Sequence, residues 1–145
     1  MLGELTQRQP RVLQIIGLPG SGKTTAIEAT RKSHPGSFSF LDIRNYQGKQ
    51  YDRLLLDIQN LPSPVVVESA CGVRSLPKDI VILIDTPFHI ACQRCHNRDG
   101  HVDSDYMSLL TTQLLGSTHK TTSDGLPTLL MQLLRIPDED SRASC

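Results

Sequence analysis

Apolar residues along the chain come in short β-branched runs, separated by stretches where they recur every three or four positions. Val12-Leu13-Gln14-Ile15-Ile16, closed by Gly17, predicts a first strand. Good helix formers from about Lys23 to Ser33 stop at His34-Pro35-Gly36 and predict a helix. Ser37 to Leu41 reads as a second strand ending at Asp42, and Tyr46 to about Gln59 carries Leu54, Leu55 and Ile58 at helical spacing. Val65-Val66-Val67 predicts a third strand ending at Glu68, and Ile80 to Ile84 a fourth ending at Asp85. The unbroken apolar run of the fourth suits a strand covered on both faces, which favours a parallel sheet.

Beyond the fourth strand, Thr86-Pro87 reads as a helix start, with Thr86 or Asp85 as N-cap and Pro87 at the first helical position. Phe88, Ala91, Cys92 and Cys95 follow at i, i+3, i+4 and i+7 as an apolar stripe. A polar turn is expected from Asn97 to Asp103, a helix from Ser104 to Leu115 with Gly116 behind it, and a loop from Ser117 to Gly125. Pro127 to Leu134 reads as a final amphipathic helix. Residues 1–10 form a polar leader, and 137–145 are expected to be a disordered tail. Alternating strands and helices predict an α/β fold in one domain spanning residues 1–136.

Charge narrows the partners. Lys plus Arg and Asp plus Glu are both 15, and the aromatic residues are three Phe, three Tyr and no Trp. A basic, aromatic-bearing groove for nucleic acid is therefore not expected. The longest apolar run is too short to span a bilayer. Four cysteines and no secretion signal after Met1 suggest reduced thiols in the cytoplasm.

The strongest chemical signal lies between the first strand and the first helix. Gly17-Leu18-Pro19-Gly20-Ser21-Gly22-Lys23-Thr24 has the Walker A spacing Gly-x4-Gly-Lys-Thr. Its glycines let main-chain N–H groups turn around an anion, and the helix start adds its positive dipole end. Gly17, Pro19, Gly20, Ser21, Gly22, Lys23, Thr24 and Thr25 are thus candidate ligands of ATP or GTP. Lys23 reaches the β- and γ-phosphates, and the Thr24 hydroxyl serves Mg²⁺. In open parallel sheets ligands sit beyond the carboxyl ends of the strands, where Asp42, Glu68 and Asp85 fall. Glu68 follows three valines, and an interior carboxylate there calls for a partner such as a Mg²⁺-bound water. Asp42 suits a turn or an acceptor hydroxyl, and Asp85 suits a helix cap.

Cys92-Gln93-Arg94-Cys95-His96 matches the haem-attachment spacing C-x-x-C-H. Both sulfurs fall on the apolar stripe, however, where a thiol behaves as a small hydrophobe. A zinc site using Cys92 and His96 with His89 or His101 is the other reading of this segment.

Val12 to Thr25, Phe40-Leu41-Asp42, Val65 to Ser69, and Ile82 to Pro87 through Arg94 and Arg98 together resemble the small P-loop kinases, the adenylate-kinase-like enzymes that phosphorylate nucleotides, nucleosides and other small hydroxyl compounds. The resemblance covers roughly residues 11–105. It implies a three-layer P-loop NTPase fold with a mostly parallel sheet ordered 2-3-1-4, usually with a fifth strand. It further implies ATP as phosphoryl donor, Asp42 positioning or deprotonating the acceptor, Glu68 serving the Mg²⁺ water shell, and lid arginines clamping the donor phosphates. Arg94 and Arg98, four apart on one helix flank, can point at one anion. The expected catalytic set is Lys23, Asp42, Arg94 and Arg98. Arg44, Lys49 and Arg53 are cations available to an anionic acceptor.

The chain departs from the family in three places. Asp42-Ile43-Arg44 lacks the second acid of shikimate-kinase-like members, the lid segment is short, and no segment after it reads as a fifth strand. Two functions follow: a kinase acting on a small hydroxyl or phosphate acceptor, or a nucleotide-binding and NTP-hydrolysing module without one.

Overall fold

A computed structural model of the chain describes residues 11–46, 51–62, 64–76 and 78–135. The expected leader and tail lie outside these residues. Five strands form one sheet: β1 Val12–Ile16, β2 Ser39–Asp42, β3 Val65–Ser69, β4 Ile80–Ile84 and β5 His119–Thr121. The helices are α1 Lys23–Ser33, α2 Tyr51–Asn60, α3 Phe88–Asp99, α4 Ser104–Gln113 and α5 Leu126–Leu133. The strand order is β2-β3-β1-β4-β5, and every pairing is parallel.

Alternation along the strands sorts their side chains into two layers. Leu13, Ile15, Val66, Ile82 and Ile84 pack with Ala26 and Ile27 of α1 and Leu126 and Leu130 of α5. Val12, Val65 and Val67 pack on the opposite face with Leu54 and Ile58 of α2. A third cluster joins Leu18 to Ala91 and Cys95 of α3 and Met107 and Leu110 of α4. Gln14 is fully buried in mid-strand. Its amide donates to the Val73 carbonyl at 2.9 Å and accepts from the Val73 N–H at 2.8 Å, which repays the cost of burying it. Among the described residues no helix is long and apolar enough to cross a membrane.

Several local expectations are revised. Ser117–Gly125, expected to be a loop, supplies β5. Ile82 pairs with His119 and Ile84 with Thr121. The strand is three residues long and partly exposed, so it carries no apolar alternation to betray it. Thr118 immediately precedes it, with its N–H donating to the Val81 carbonyl at 2.9 Å. Pro87 is the N-cap of α3, not its first helical residue, and no side-chain hydrogen bond caps it. The Thr86 hydroxyl donates at 3.3 Å to the Ser21 carbonyl instead, a partner supplied by the phosphate loop. Helix α3 runs on to Asp99 and ends at Gly100, with φ 80°, which shortens the expected polar turn to residues 100–103. Phe88 stays 39% exposed, so the inner stripe of α3 is Ala91 and Cys95, with Cys92 beside them. Helix α2 spans Tyr51–Asn60, and Tyr46 lies outside it. Ile43–Asn45 form a single 3₁₀ turn, and Tyr46 is buried with its hydroxyl donating to Asp57 Oδ2.

Candidate functional site

The phosphate loop leaves β1 at Gly17 and enters α1 at Lys23. Backbone bonds from Gly17 N–H to the Ala70 carbonyl (3.0 Å) and from Ser21 N–H to the Leu18 carbonyl (3.1 Å) set its curve. Gly20 has φ 82°, and a Cβ there would stand 2.5 Å from the Ala91 carbonyl oxygen. Gly22 has φ 89°, and a Cβ there would stand 2.8 Å from Ser123 Cβ. Both positions need a left-handed backbone and a bare Cα, because the loop lies directly on α3 and on the segment after β5. Gly22 N-caps α1 without a side-chain hydrogen bond, and the first turn holds no acid. The helix therefore presents its N-terminal N–H groups and positive dipole end to an anion.

Lys23 Nζ donates to the Gly17 carbonyl at 2.5 Å and the Leu18 carbonyl at 3.2 Å, with Ser21 Oγ at 3.5 Å. Burial pulls its pKa down from 10.5 to about 8, although the Glu68 carboxylate pulls the other way. Between those two values the folded chain holds fewer protons at Lys23 than the unfolded chain does. Folded stability therefore rises with pH across that window, whereas attraction for a polyanion falls as pH rises through about 8. A phosphate placed against Nζ favours the ammonium form. Calorimetry at about pH 8.5, in buffers of unlike ionisation enthalpy, should show ATP binding taking up a large fraction of one proton. Binding with no proton uptake would contradict this assignment of Lys23.

Glu68 is buried in β3 at 3% exposure, facing the start of α1. Its Oε1 accepts from the Thr24 hydroxyl at 2.6 Å. Its Oε2 is buried without a hydrogen-bond partner among the described residues. A half-satisfied interior carboxylate is costly, and a hydrated cation would satisfy it. Mg²⁺ binds one or two protein oxygens and keeps several waters, so the Thr24 hydroxyl and Glu68 fit it when phosphate oxygens complete the shell. Among the described residues no three His, Cys, Asp or Glu side chains gather to hold a metal on their own. In the C-x-x-C-H segment Cys95 is buried and Cys92 half-buried in the cluster with Leu18 and Met107.

Asp42 ends β2. Its carboxylate accepts from the Arg44 N–H (2.9 Å, Oδ1), from Arg44 Nε (2.9 Å, Oδ2) and from the Arg44 Nη2 group. Burial pushes the Asp42 carboxyl up, but the hydrogen bonds and charge of Arg44 together outweigh it and hold the group below its ordinary value. Arg94 donates to the Gly20 carbonyl at 3.3 Å, and Arg98 pairs with Asp99 at 2.9 Å.

These groups line one cavity of about 970 Å³, at the upper end of the range for small-ligand sites. Pro19 to Thr25, Asp42, Glu68, Arg94 and Arg98 all line it. Gly17 does not line it and instead anchors the loop to Lys23 and Ala70. Asp85, also expected at this edge, is exposed and does not line the cavity. Arg53 on α2 stands outside it, and Lys49 lies outside the described residues. Tyr106 of α4 and Ser123, Asp124 and Pro127 after β5 are additions. No spacing rule marks them, since they come from segments that meet the phosphate loop only through the fold. Arg44 was legible as a cation, but not as the partner of Asp42.

No protein-family profile matches the sequence, and no curated protein matches it. The fold does match solved structures. A gluconokinase from Sinorhizobium meliloti is 15% identical at a TM-score of 0.56, covering 95% of this chain and 99% of that one. A shikimate kinase from Bacteroides thetaiotaomicron is 12% identical at 0.60, covering 88% and 99%. A shikimate kinase from Aquifex aeolicus is 18% identical at 0.53, covering 86% and 92%. The chain has the fold of the small P-loop kinases, a three-layer α/β architecture whose sheet includes the fifth strand.

Proposed function

We propose that the chain is a small P-loop kinase that transfers the γ-phosphoryl group of ATP to a hydroxyl or phosphate group of a small acceptor. The observation that carries this reading is one cavity lined by both the half-buried lysine of a phosphate loop and Asp42. Phosphate loops alone bind nucleotides. A carboxylate at the end of β2, open to the same cavity, adds a group that can orient an acceptor.

The roles follow from position. Main-chain N–H groups of Gly20 to Thr25 and the Lys23 ammonium hold the polyphosphate. Thr24 and Glu68 would hold Mg²⁺ and its waters, and the ion when bound would neutralise charge on the polyphosphate. Arg94 and Arg98, both facing the cavity from α3, stabilise the group in transfer. Asp42 accepts the acceptor's hydroxyl proton as the new O–P bond forms and ADP leaves with the bridging oxygen. Positioning and electrostatics supply most of the rate gain.

A second reading, a nucleotide-binding and hydrolysing module, draws on the pairing of Asp42 with Arg44, which occupies the carboxylate an acceptor needs. Incubation with γ-labelled ATP and a panel of hydroxy acids, polyols, nucleosides and nucleotides separates the two. Label appearing on an acceptor is the expected result. Free phosphate released with no acceptor consumed would favour the second reading.

A further inference from the structure

We infer that the small pocket at the elbow between α3 and α4 is an acceptor subsite, and that it selects an alcohol carrying an aromatic ring. This inference rests on the kinase reading above and names its class of acceptor.

The elbow is local in origin. Helix α3 stops at Gly100 with φ 80°, and Asp103 then caps α4, its carboxylate accepting from the Tyr106 N–H at 3.0 Å. Inside this tight turn the two helices enclose a second space of about 160 Å³. Pro19, Cys95, Val102 and Met107 supply its apolar lining. Cys95 and Met107 also belong to the cluster around Leu18 of the phosphate loop. An apolar cavity of about 150 Å³ holds one benzene molecule. The elbow therefore admits a single six-membered ring and little more.

Chemistry points the same way. The polar groups of this pocket already partner one another. Arg98 Nε and Nη2 donate to the two Asp99 carboxylate oxygens at 3.0 and 2.9 Å, Asp103 holds its cap, and His101 Nδ1 lies 3.2 Å from the Asp99 carbonyl oxygen. The apolar residues offer carbon and sulfur. A thioether and a thiol are polarizable and make favourable contacts with aromatic rings. A ring entering here leaves water without separating any charge from its partner. A polyol pushed against the same residues would bury hydroxyls that find no hydrogen bond.

Position then assigns the ring to the acceptor and not to the donor. Pro19, Arg98 and Tyr106 line both this pocket and the large cavity, so the two spaces are continuous. Arg98 is within electrostatic reach of Arg44, the partner of Asp42. The pocket thus opens toward the group that would receive the acceptor hydroxyl. Ser123 and Asp124, which also line the cavity, follow β5 at the opposite edge of the sheet from β2 and Asp42. An aromatic alcohol can lay its ring in the elbow and keep its hydroxyl in the space shared by the phosphate loop and Asp42.

Magnetic resonance and transfer assays test this. Isotope labelling of the methionine methyl groups places a probe in the pocket, the Met107 signal being the one missing from Met107→Leu. Benzyl alcohol should shift that signal saturably at about millimolar concentration, and ethanol should leave it in place. With ATP bound, exchanging Mg²⁺ for Mn²⁺ should broaden the methylene protons of benzyl alcohol more than its ring protons, because the hydroxyl end faces the phosphates. Val102→Phe fills the pocket and should abolish the shift, with an ATP titration to verify that it folds. If it does not fold, the wild-type titration decides alone. In the labelled-ATP assay the wild-type KM for benzyl alcohol should lie at least about 10-fold below that for ethanol, a difference that Val102→Phe erases. A Met107 signal indifferent to benzyl alcohol overturns this inference and leaves the kinase reading standing. So does stronger broadening of the ring protons, or label passing to ring-free polyols and hydroxy acids in preference to aromatic alcohols. No label on any acceptor takes down the kinase reading, and with it the acceptor role of the pocket, even where the ring binds.

Discussion

Replacing Lys23 with methionine is expected to weaken ATP binding and turnover by about 100- to 1,000-fold while leaving the melting temperature unchanged or higher. The opposite directions come from one feature. An ammonium desolvated enough to bring its pKa to about 8 carries a cost in the free protein, and its carbonyl contacts with Gly17 and Leu18 recover only part of it. Methionine keeps an unbranched apolar stem and removes the charge, so the cost disappears. The gain from that charge is realised only when a polyphosphate sits in the loop. Thermal melts and ATP titrations of the two proteins check both halves. A variant that melts much lower would show that Lys23 mainly pins the loop, and a variant that binds ATP normally would remove Lys23 from the site.

Asp42→Asn is expected to lower phosphoryl transfer by about 100- to 10,000-fold, the span over which a positioned acid or base acts. ATP affinity should hold or increase. The substitution deletes one negative charge from a cavity that binds a polyanion, and it leaves Arg44 without its carboxylate partner. Asparagine keeps the size and can still accept the Arg44 N–H that orients the turn after β2, so the fold should persist. Titration with ATP alongside single-turnover transfer separates the two effects. Transfer at the wild-type rate would show that the carboxylate does not handle the acceptor's proton. Loss of ATP binding instead would move Asp42 to the donor side of the cavity.

Much of this architecture was legible before any coordinates. The run Val12–Ile16, the glycines and lysine behind it, and the valines ahead of Glu68 specify strand, phosphate loop and buried acid, because each rests on local chemistry. A β-branched run favours extended backbone, a positive φ at Gly20 and Gly22 needs glycine, and a carboxylate after three buried residues needs a partner. The order of the sheet was legible only through family resemblance. Helix ends were less so. Thr86 has the composition of an N-cap, yet its hydroxyl serves Ser21 across 65 positions of chain.

The features hidden from a linear reading are those whose partners are distant or whose signal is too short. β5 forms from His119-Lys120-Thr121 because β4 offers it an open edge, and no intrinsic preference of those three residues would place it there. Gln14 interrupts an apolar strand and looks out of place until Val73, 59 positions away, satisfies both ends of its amide. Tyr106, Ser123 and Asp124 reach the cavity because α4 and the turn after β5 close over the phosphate loop. Arg44 and Asp42 are two residues apart, yet their pairing depends on the 3₁₀ turn that folds the guanidinium back onto the carboxylate. Local propensity and motif spacing therefore specify which chemical groups the chain carries and roughly which edge of the sheet receives them. Long-range burial and hydrogen bonding specify which of those groups meet, because the energy that fixes a pairing arises only when both partners leave water together.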